Sequence, residues 1–233
     1  MLRARLEKTA EHGAVSTAAD ETRAALIQAA LKLFGRQGFE GTSTREIAAL
    51  AKANIGSIAY HFGGKEGLHA ATADHIVETI QKIAAQTLGN VHTAANSPPD
   101  AQVAQAQMFA TLERMVGFFV VSSEAGDIAR FMLRETSQPT NALDRIYHGV
   151  FEPLHKRLCQ IWEQATGEPA ESERTRLTVF TLIGQVVYFR IGREVVLKRM
   201  GWDGIGDKEA GQVLGAISVN LSALLAARKD ANR

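Results

Sequence analysis

Residues 44–62, TREIAALAKANIGSIAYHF, decide the fold, because they contain two short helical segments separated by a tight turn. Ser43, with Glu46 three residues later, has the spacing of a capping box at the start of the first segment. Residues 52–53 occupy the turn, and Asn54 is a suitable N-cap for the second segment. This spacing predicts a helix–turn–helix.

Each of the two short helices is expected to bury one face. The buried positions predicted for them are Ile47, Ala48, Leu50 and Ala51 in the first helix, and Ile58 and Phe62 in the second. The rest of the second helix then points outward, with the small residues Gly56 and Ser57 at its start. Small residues there let the helix enter a DNA major groove, where hydroxyl and N–H groups meet phosphates and base edges. This chemistry favours DNA binding over catalysis.

A longer stretch, residues 21–68, contains five blocks that match a known family at compatible spacing: LFGRQGFEGTS, REIAALA, a Gly with a small hydroxyl residue, YHF and GGKEGL. The stretch resembles the N-terminal DNA-binding domain of the TetR family of bacterial transcriptional regulators. Two positions depart from the family pattern: Ile55 stands where a polar or charged residue is common, and Ala59 replaces the first aromatic residue of the recognition helix. The resemblance implies a C-terminal domain that encloses a small-molecule pocket, and ligand binding that moves paired DNA-binding heads.

The residues expected to contact DNA lie on the exposed helix face or match the family motif: Thr44, Asn54, Ile55, Gly56, Ser57, Ala59, Tyr60, His61 and Lys65. Thr44 and Lys65 are assigned to phosphates, which give affinity and register. Ile55, Ser57 and Ala59 are the candidates for contacts with base edges or thymine methyl groups. Two alternatives remain open: Tyr60 packs internally, and Lys65 is simply solvated.

The composition of the chain favours an all-α fold. The 233 residues are 45% hydrophobic but only 6% aromatic, and alanine is common, which favours helices over a β-sandwich. The formal net charge is only +1, yet residues 1–65 contain nine Lys or Arg against six Asp or Glu. The N-terminal third is therefore the more favourable side for a polyanion.

The cellular compartment is indicated by the cysteine count and the hydropathy pattern. Cys159 is the only cysteine, which excludes an intrachain disulfide and favours a small buried side chain over a redox sensor. No signal peptide is evident, and no segment has the roughly 18 apolar residues of a membrane span. We therefore expect a cytoplasmic protein without a membrane partner.

The remaining chain is expected to form a flexible tail and a series of amphipathic helices. The predicted segments are a tail over 1–19, a support helix from Asp20 to Gly38, a long helix from Lys65 to about Leu88, a linker over 89–100, and helices over 101–121, 128–136 and 142–165. Pro153 should kink the last of these or start a new helix. The predicted domains are a three-helix DNA-binding domain over 20–66 and a helical ligand-binding and dimerisation domain over 67–228.

The last two helices, predicted over about 172–200 and 207–228, place small residues beside apolar ones. Gly184 and Gly192 in the first, and Gly211 and Gly215 in the second, permit close helix–helix approach. We therefore expect a homodimer joined through a four-helix bundle, with purely intrachain packing as the alternative.

Three blocks in the C-terminal half, RETSQP, FEPLHKRL and GQVVYFRIGREVVLKRMGW, resemble the CecR-like branch of the TetR regulators. Large apolar side chains are the candidates for lining the implied pocket: Met108, Phe109, Met115, Phe119, Phe131, Met132, Tyr147, Phe151 and Trp162. Ordinary core packing is the alternative for each of them. Analogy with the family implies a small apolar effector, and no cofactor is expected.

One motif in the sequence supports a metal-dependent enzyme as an alternative. His148, Glu152 and His155 include the Glu-x-x-His spacing of helical di-iron proteins. Such a site needs a second motif and further carboxylates, and Pro153 disturbs the helix that would align the ligands. No metal ligand or catalytic residue is therefore assigned.

The sequence thus indicates an all-α, homodimeric transcriptional regulator. Its expected action is that of a repressor, released by a small effector from palindromic double-stranded operator DNA. The alternatives are an activator of the same fold and a helical metal-dependent enzyme.

Overall fold

The computed structural model describes the backbone of residues 2–88, 100–122 and 124–231, and the side chains of residues 18–88, 100–122 and 124–228. These residues form an all-α fold, and no β-strand occurs among them. Their helices are α1 (Leu2–Gly41), α2 (Thr44–Leu50), α3 (Gly56–Phe62), α4 (Lys65–Leu88), α5 (Ala101–Val116), the π-helical turn π1 (Gly117–Val121), α6 (Glu124–Ser137), α7 (Asn141–Ile146), the π-helical turn π2 (Tyr147–Phe151), α8 (Glu152–Thr166), α9 (Glu173–Ile191), α10 (Arg193–Met200) and α11 (Asp207–Ala231). The predicted linker lies outside the described residues, except for Asp100, which caps α5.

The chain divides into two compact units, each built from two separate segments. Unit 1 contains Met1–Ile76 and Arg130–Arg145, and unit 2 contains Val77–Ala129 and Ile146–Arg233. Unit 1 holds the helix–turn–helix, together with the end of α6 and most of α7, which come from the part of the chain predicted as the C-terminal domain. These residues belong to unit 1 because buried contacts join α6 to α1 and α4 within this unit.

Helix α1 starts earlier than the sequence suggested. It begins at Leu2 instead of after an N-cap at Asp20, because residues 2–19 contain several good helix formers and no proline. Gly38 adopts φ 78° inside this range, so the regular helix stops there, as predicted. Glycine suits this position because a left-handed backbone is costly for residues with a side chain. The buried Thr42 hydroxyl then donates a hydrogen bond to the Gly38 carbonyl at 2.7 Å.

The core of unit 1 is made from one face of each helix in this unit. Its largest members, each at most 2% exposed, are Leu26, Leu31, Phe34, Ile47, Ile58, Leu68, Ile76 and Phe131. The predicted buried face of α2 is correct for Ile47 and Ala48 but wrong for Leu50, which is 50% exposed. Leu50 points about 110° away from the direction midway between Ile47 and Ala48, so it lies off the buried face.

Unit 2 packs around α5, which contacts α8, α9 and α11. The helix predicted over 101–121 continues from α5 into π1, and the helix predicted over 172–200 is divided at Gly192 into α9 and α10. The helix predicted over 142–165 is continuous from α7 through π2 into α8, and Pro153 lies in the first turn of α8, directly after the π-helical turn.

Helix α11 is long and apolar enough over Asp207–Arg228 to meet the length and composition criteria for a membrane span. The expectation that the sequence contains no such segment is therefore wrong on those criteria. In the structure one face of this helix packs into the core of unit 2 through Val213, Ile217, Leu221 and Leu225. Core helices of soluble proteins pass the same criteria, so the segment is weak evidence for a membrane location.

A largely buried carboxylate links three helices of unit 2. The Glu168 side chain is 14% exposed and accepts a hydrogen bond from Trp162 Nε1, in α8, at 2.9 Å. Its oxygens also lie 3.4 Å from Arg174 Nε, in α9, and 3.1 Å from Arg228 Nε, in α11. A buried donor that loses its acceptor costs free energy, so this cluster stabilises the packing of α8, α9 and α11.

Glu168→Ala is expected to lower the free energy of unfolding by about 2 kcal/mol, because the indole of Trp162 loses its hydrogen-bond acceptor and the buried Arg228 guanidinium loses its ion-pair partner. Urea denaturation followed by circular dichroism measures this change. Glu163→Ala removes an exposed carboxylate near the end of α8 and should change stability by less than about 0.5 kcal/mol. Equal stability of the two variants would contradict the role given to Glu168.

Candidate nucleic-acid interface

The start of α2 has the capping box that the sequence predicted. The Ser43 hydroxyl oxygen accepts from the Glu46 N–H at 3.2 Å, and the Ser43 N–H donates to Glu46 Oε2 at 2.9 Å. The Ser43 hydroxyl also donates to the same carboxylate oxygen at 2.7 Å. These hydrogen bonds from Ser43 lower the pKa of Glu46, so the charged form of the cap persists to more acidic pH.

The turn between α2 and α3 is held by backbone hydrogen bonds and one side-chain hydrogen bond. Lys52 adopts φ 54°, and the Ala53 N–H donates to the Ala48 carbonyl at 2.9 Å. Asn54 Oδ1 accepts from the Gly56 N–H at 2.8 Å, but the N-cap position of α3 is Ile55 and not Asn54 as predicted. Ile55 belongs to the turn, and α3 therefore begins at Gly56, one residue later than predicted.

Helix α3 is anchored by Ile58 and leaves most of its surface in solvent. Ile58 is 2% exposed, whereas Tyr60 is 83% and Ile55 is 49% exposed. Among the other predicted contacts, Asn54, Gly56 and Ala59 are exposed, and Thr44, Ser57, His61 and Lys65 are half-buried. The Tyr60 ring meets the His61 ring edge-on, with centroids 4.9 Å apart, and does not pack internally.

Two contacts between a cation and an aromatic ring lie at the C-terminal end of α3 and at the start of α4. The Arg23 guanidinium, from α1, lies 5.4 Å from the ring centroid of Phe62, which is half-buried where full burial was expected. Lys65 Nζ lies 4.4 Å from the ring centroid of Phe39. Lys65 is therefore in contact with a ring and is not simply solvated, and its phosphate contact stays a prediction.

Two exposed basic residues near the predicted DNA contacts were not predicted from the sequence. Arg45 lies in the first turn of α2, and Lys52 lies at the turn that follows this helix. The signal that could have identified them is positive charge within the helix–turn–helix itself, because phosphate contacts require no further pattern. With Lys65, they are candidate phosphate-binding cations of this segment.

The nine side chains predicted to line an effector pocket lie in different environments. Met108 and Trp162 are fully buried in the core of unit 2, and Phe109, Met115 and Phe119 pack against this core while partly buried. Phe151 is half-buried and Tyr147 is 47% exposed, whereas Phe131 and Met132 belong to unit 1. Core packing, the alternative left open by the sequence, thus describes six of them: Met108, Trp162, Phe109, Met115 and Phe119 in unit 2, and Phe131 in unit 1.

A cavity of about 600 Å³ lies within unit 2, between α4, α5 and π1. Its lining consists of Ile83, Gln86, Thr87, Ala110, Glu113, Arg114, Gly117, Phe118 and Ser122. None of the nine predicted residues is in this lining. The prediction selected large apolar residues, whereas five of the nine lining residues are polar or charged. The volume falls in the usual range of small-molecule sites, roughly 300–1,000 Å³.

The residues of the alternative metal site make other contacts. His148 Nδ1 lies 3.2 Å from Glu152 Oε2, and Lys156 Nζ donates to the other oxygen of Glu152 at 2.7 Å. His155 Nε2 lies 3.1 Å from the Arg176 carbonyl oxygen, and its ring stacks on Phe180. Within the described ranges, no group of three or more His, Cys, Asp or Glu side chains is arranged to hold a metal ion.

Cys159 is a buried thiol next to His155. The side chain is 1% exposed, and burial raises the pKa of the thiol to about 11. The thiol is therefore protonated at neutral pH, which fits the small buried side chain favoured by the sequence.

Helices α9 and α11 carry a surface that the rest of the described chain leaves uncovered. We call it the α9–α11 face; it consists of Leu177, Phe180, Gly184, Tyr188 and Ile191 on α9, and Gly211, Gly215 and Val219 on α11. The four large side chains on α9 are each 54–58% exposed and recur at helical spacing. A Cβ atom at Gly184, Gly211 or Gly215 would meet no other atom within 4 Å.

An all-α fold with an exposed, capped helix–turn–helix defines the chain as a DNA-binding transcriptional regulator. Residues 26–72 match the family model "Bacterial regulatory proteins, tetR family", and residues 104–228 match "HTH-type transcriptional dual regulator CecR, C-terminal domain". The chain belongs to the TetR family, in the branch that has a CecR-type C-terminal domain. Both resemblances found in the sequence are thereby confirmed.

Two proteins of similar sequence are transcriptional regulators as well. The HTH-type transcriptional dual regulator CecR of Shigella flexneri is 29% identical over 213 residues, which cover 91% of this chain and 95% of CecR. The HTH-type transcriptional repressor NicS of Pseudomonas putida is 35% identical over 79 residues, which cover 34% of this chain and 37% of NicS. The chain is thus a transcriptional regulator and not an enzyme.

Solved structures of low sequence identity share the fold. A TetR-like regulator from Rhodococcus sp. RHA1 has a TM-score of 0.60 at 17% identity, covering 87% of this chain and 96% of that one. AibR, solved in complex with isovaleryl coenzyme A and operator DNA, has a TM-score of 0.61 at 18% identity, covering 85% of this chain and 97% of AibR.

Proposed function

We propose that the protein is a cytoplasmic, homodimeric repressor that binds a pseudo-palindromic operator and leaves it when a small effector occupies the cavity in unit 2. The observation that carries the proposal is the presence, in one chain, of an exposed α3 and an uncovered α9–α11 face. Each chain supplies one recognition helix, and the two-fold symmetry of a dimer matches the symmetry of a palindrome.

Dimerisation follows from the chemistry of the α9–α11 face. Burying a large apolar side chain completely is worth about 1.5–3 kcal/mol, so four such side chains in one stripe favour association. The glycines in the face leave room for the side chains of a partner helix. Two helices from each copy would then form a four-helix bundle.

The DNA contacts divide into two groups by chemistry. Thr44 and Lys65, together with Arg45 and Lys52, would bind phosphates and set the register of the protein on the duplex. The exposed side chains of α3 and the residues before it would read the major groove, with Ile55 and Ala59 against thymine methyl groups and Ser57 at base edges. Tyr60 and His61 extend this surface, and its exposure supports the assignment.

The cavity lining favours an effector with both apolar and polar parts, in place of the wholly apolar compound expected from the sequence. Ile83 and Phe118 offer apolar surface, while Arg114 and Glu113 offer charge and Gln86 offers an amide. An acyl-coenzyme A has this mixed character, and the neighbour AibR was solved with isovaleryl coenzyme A. This compound is therefore a suitable first probe.

Fluorescence anisotropy tests operator binding directly. Purified protein is titrated against the intergenic DNA upstream of its own gene and against a scrambled duplex of equal length, at one near-physiological salt concentration. We expect the native DNA to bind at least about 10³-fold more tightly. Equal and strongly salt-dependent binding to both duplexes would indicate phosphate attraction alone and would contradict specific operator binding at this DNA.

Gly117→Leu is expected to fill the cavity from its π1 wall, since a Cβ at this position meets no atom within 4 Å. It should weaken the action of an effector that releases DNA by about tenfold or more while leaving operator affinity unchanged. The measurement is operator release in anisotropy as a function of effector concentration, first with isovaleryl coenzyme A. Unchanged release by an active effector would place its site elsewhere.

An activator remains the second candidate, because the full-length relative CecR is named a dual regulator. Deletion of the gene distinguishes the two roles through a reporter fused to the operator. Reporter output should rise on deletion for a repressor and fall for an activator.

A further inference from the structure

We infer that residues 130–145 are an integral part of the DNA-binding unit, and that Glu135 is a positioning residue for operator binding. The inference rests on the operator binding proposed above and assigns a role to a residue far from the helix–turn–helix in sequence. Its starting point is the membership of Arg130–Arg145 in unit 1, with the helices that carry the helix–turn–helix. One of the blocks that resemble the CecR-like branch, RETSQP, occupies residues 134–139 of this segment.

Glu135 makes three contacts although it is only 4% exposed. One carboxylate oxygen lies 3.2 Å from Nε2 of His69, in α4, which is itself 5% exposed. The other oxygen accepts from the N–H and the hydroxyl of Thr140, at 3.1 Å and 2.7 Å. A buried carboxylate is costly without polar partners. The two hydrogen bonds from Thr140 and the close approach of the His69 ring therefore position Glu135.

His69 lies where several elements of unit 1 meet. Its ring centroid is 4.6 Å from that of Phe34 in α1, 4.9 Å from Phe39 and 5.1 Å from Phe131 in α6. Burial lowers the pKa of His69, while the neighbouring Glu135 opposes this shift. The contact between Glu135 and His69 thus ties α6 to α4 and to the end of α1.

Arg134 ties the same segment to the end of α1. Its guanidinium donates to the carbonyl of Gln37 at 3.0 Å, at a helix C-terminus where positive charge is favourable. A Cβ atom at Gly38 would lie 2.5 Å from Arg134 Nε, so the guanidinium occupies space that only glycine leaves free.

These two attachment points lie on either side of the helix–turn–helix. Gln37 and Gly38 come shortly before α2, and His69 is in the first turns of α4, shortly after α3. A segment that holds both ends fixes the geometry in which α2 and α3 are presented. Loss of its buried anchor should therefore reduce the fit to a specific operator more than the general attraction to phosphates.

Operator affinity and scrambled-duplex affinity of Glu135→Ala, His69→Ala and the double variant test this role. The measurements use full-length protein at a temperature where circular dichroism shows each variant to be folded. We expect each single variant to bind the operator about tenfold more weakly than the wild type. The double variant should bind as tightly as either single variant, since the same Glu135–His69 contact is lost in all three. Binding to the scrambled duplex should not change.

Glu163→Ala is the matched control, because it makes the same substitution at an exposed carboxylate of α8, in unit 2 and outside residues 130–145. It should change operator affinity by less than about twofold. If Glu135→Ala does not fold, the nearly isosteric Glu135→Gln takes its place in the test. Its operator affinity should also be lower than that of the wild type. Wild-type affinity in the folded Glu135 variant, or additive losses in the double variant, would overturn the inference. A wild-type protein without operator preference would instead count against the proposed function.

Discussion

Tyr60→Ala is expected to weaken operator binding roughly 10- to 100-fold and to leave the fold intact. The tyrosine is 83% exposed, so its removal sacrifices little packing within the chain. In the proposed complex the ring lies on the recognition surface of α3, and a dimer loses it at both half-sites. Anisotropy titration with operator and scrambled duplex measures the change, and thermal denaturation verifies the fold.

Tyr147→Ala is the control for this experiment, because it removes another exposed tyrosine, 47% exposed, from unit 2. Its operator affinity should equal that of the wild type. If both variants bound the operator as tightly as the wild type, Tyr60 would not take part in recognition, and the α3 assignment would need revision.

Ile191→Glu is expected to convert the protein to a monomer at micromolar concentration and to reduce operator affinity by about 100-fold or more. Ile191 is 54% exposed on the α9–α11 face, so a glutamate is tolerated in the isolated chain. In a symmetric dimer it would bury two carboxylates in an apolar interface, where unpaired charge is strongly unfavourable. Size-exclusion chromatography with light scattering gives the mass, and anisotropy gives the affinity.

Val103→Glu provides the comparison, since Val103 is 63% exposed on α5 and lies outside the α9–α11 face. This variant should remain dimeric and bind the operator normally. A dimeric Ile191→Glu with full operator affinity would show that the chains associate through another surface.

The helix–turn–helix could be predicted because its determinants are local. Ser43 with Glu46, and Asn54 with Gly56, interact over two or three residues, so spacing alone reveals them. Leu50 was assigned wrongly because the assignment followed its apolar character, whereas helix geometry turns it away from the face that Ile47 and Ala48 bury. The exposure of α3 could also be predicted, because it too depends on the pattern of neighbouring residues.

The cavity in unit 2 and the composition of unit 1 could not be predicted from local patterns. The cavity is lined by residues from three elements, and a search for large apolar side chains finds core residues such as Met108 and Trp162 first. Likewise, Glu135 looks like an ordinary charged residue until the chain brings it against His69. Contacts between distant segments decide both features, and one sequence does not reveal them.

Because the thiol of Cys159 is enclosed and burial raises its pKa to about 11, we expect the natural chain to react very slowly with maleimide and methanethiosulfonate reagents at neutral pH. An exposed thiol introduced through Ala59→Cys would therefore be labelled selectively, without first replacing the native cysteine. In the proposed dimer this places one nitroxide on each recognition helix. Pulsed electron paramagnetic resonance could then record the spacing between the two helices in free and effector-bound protein.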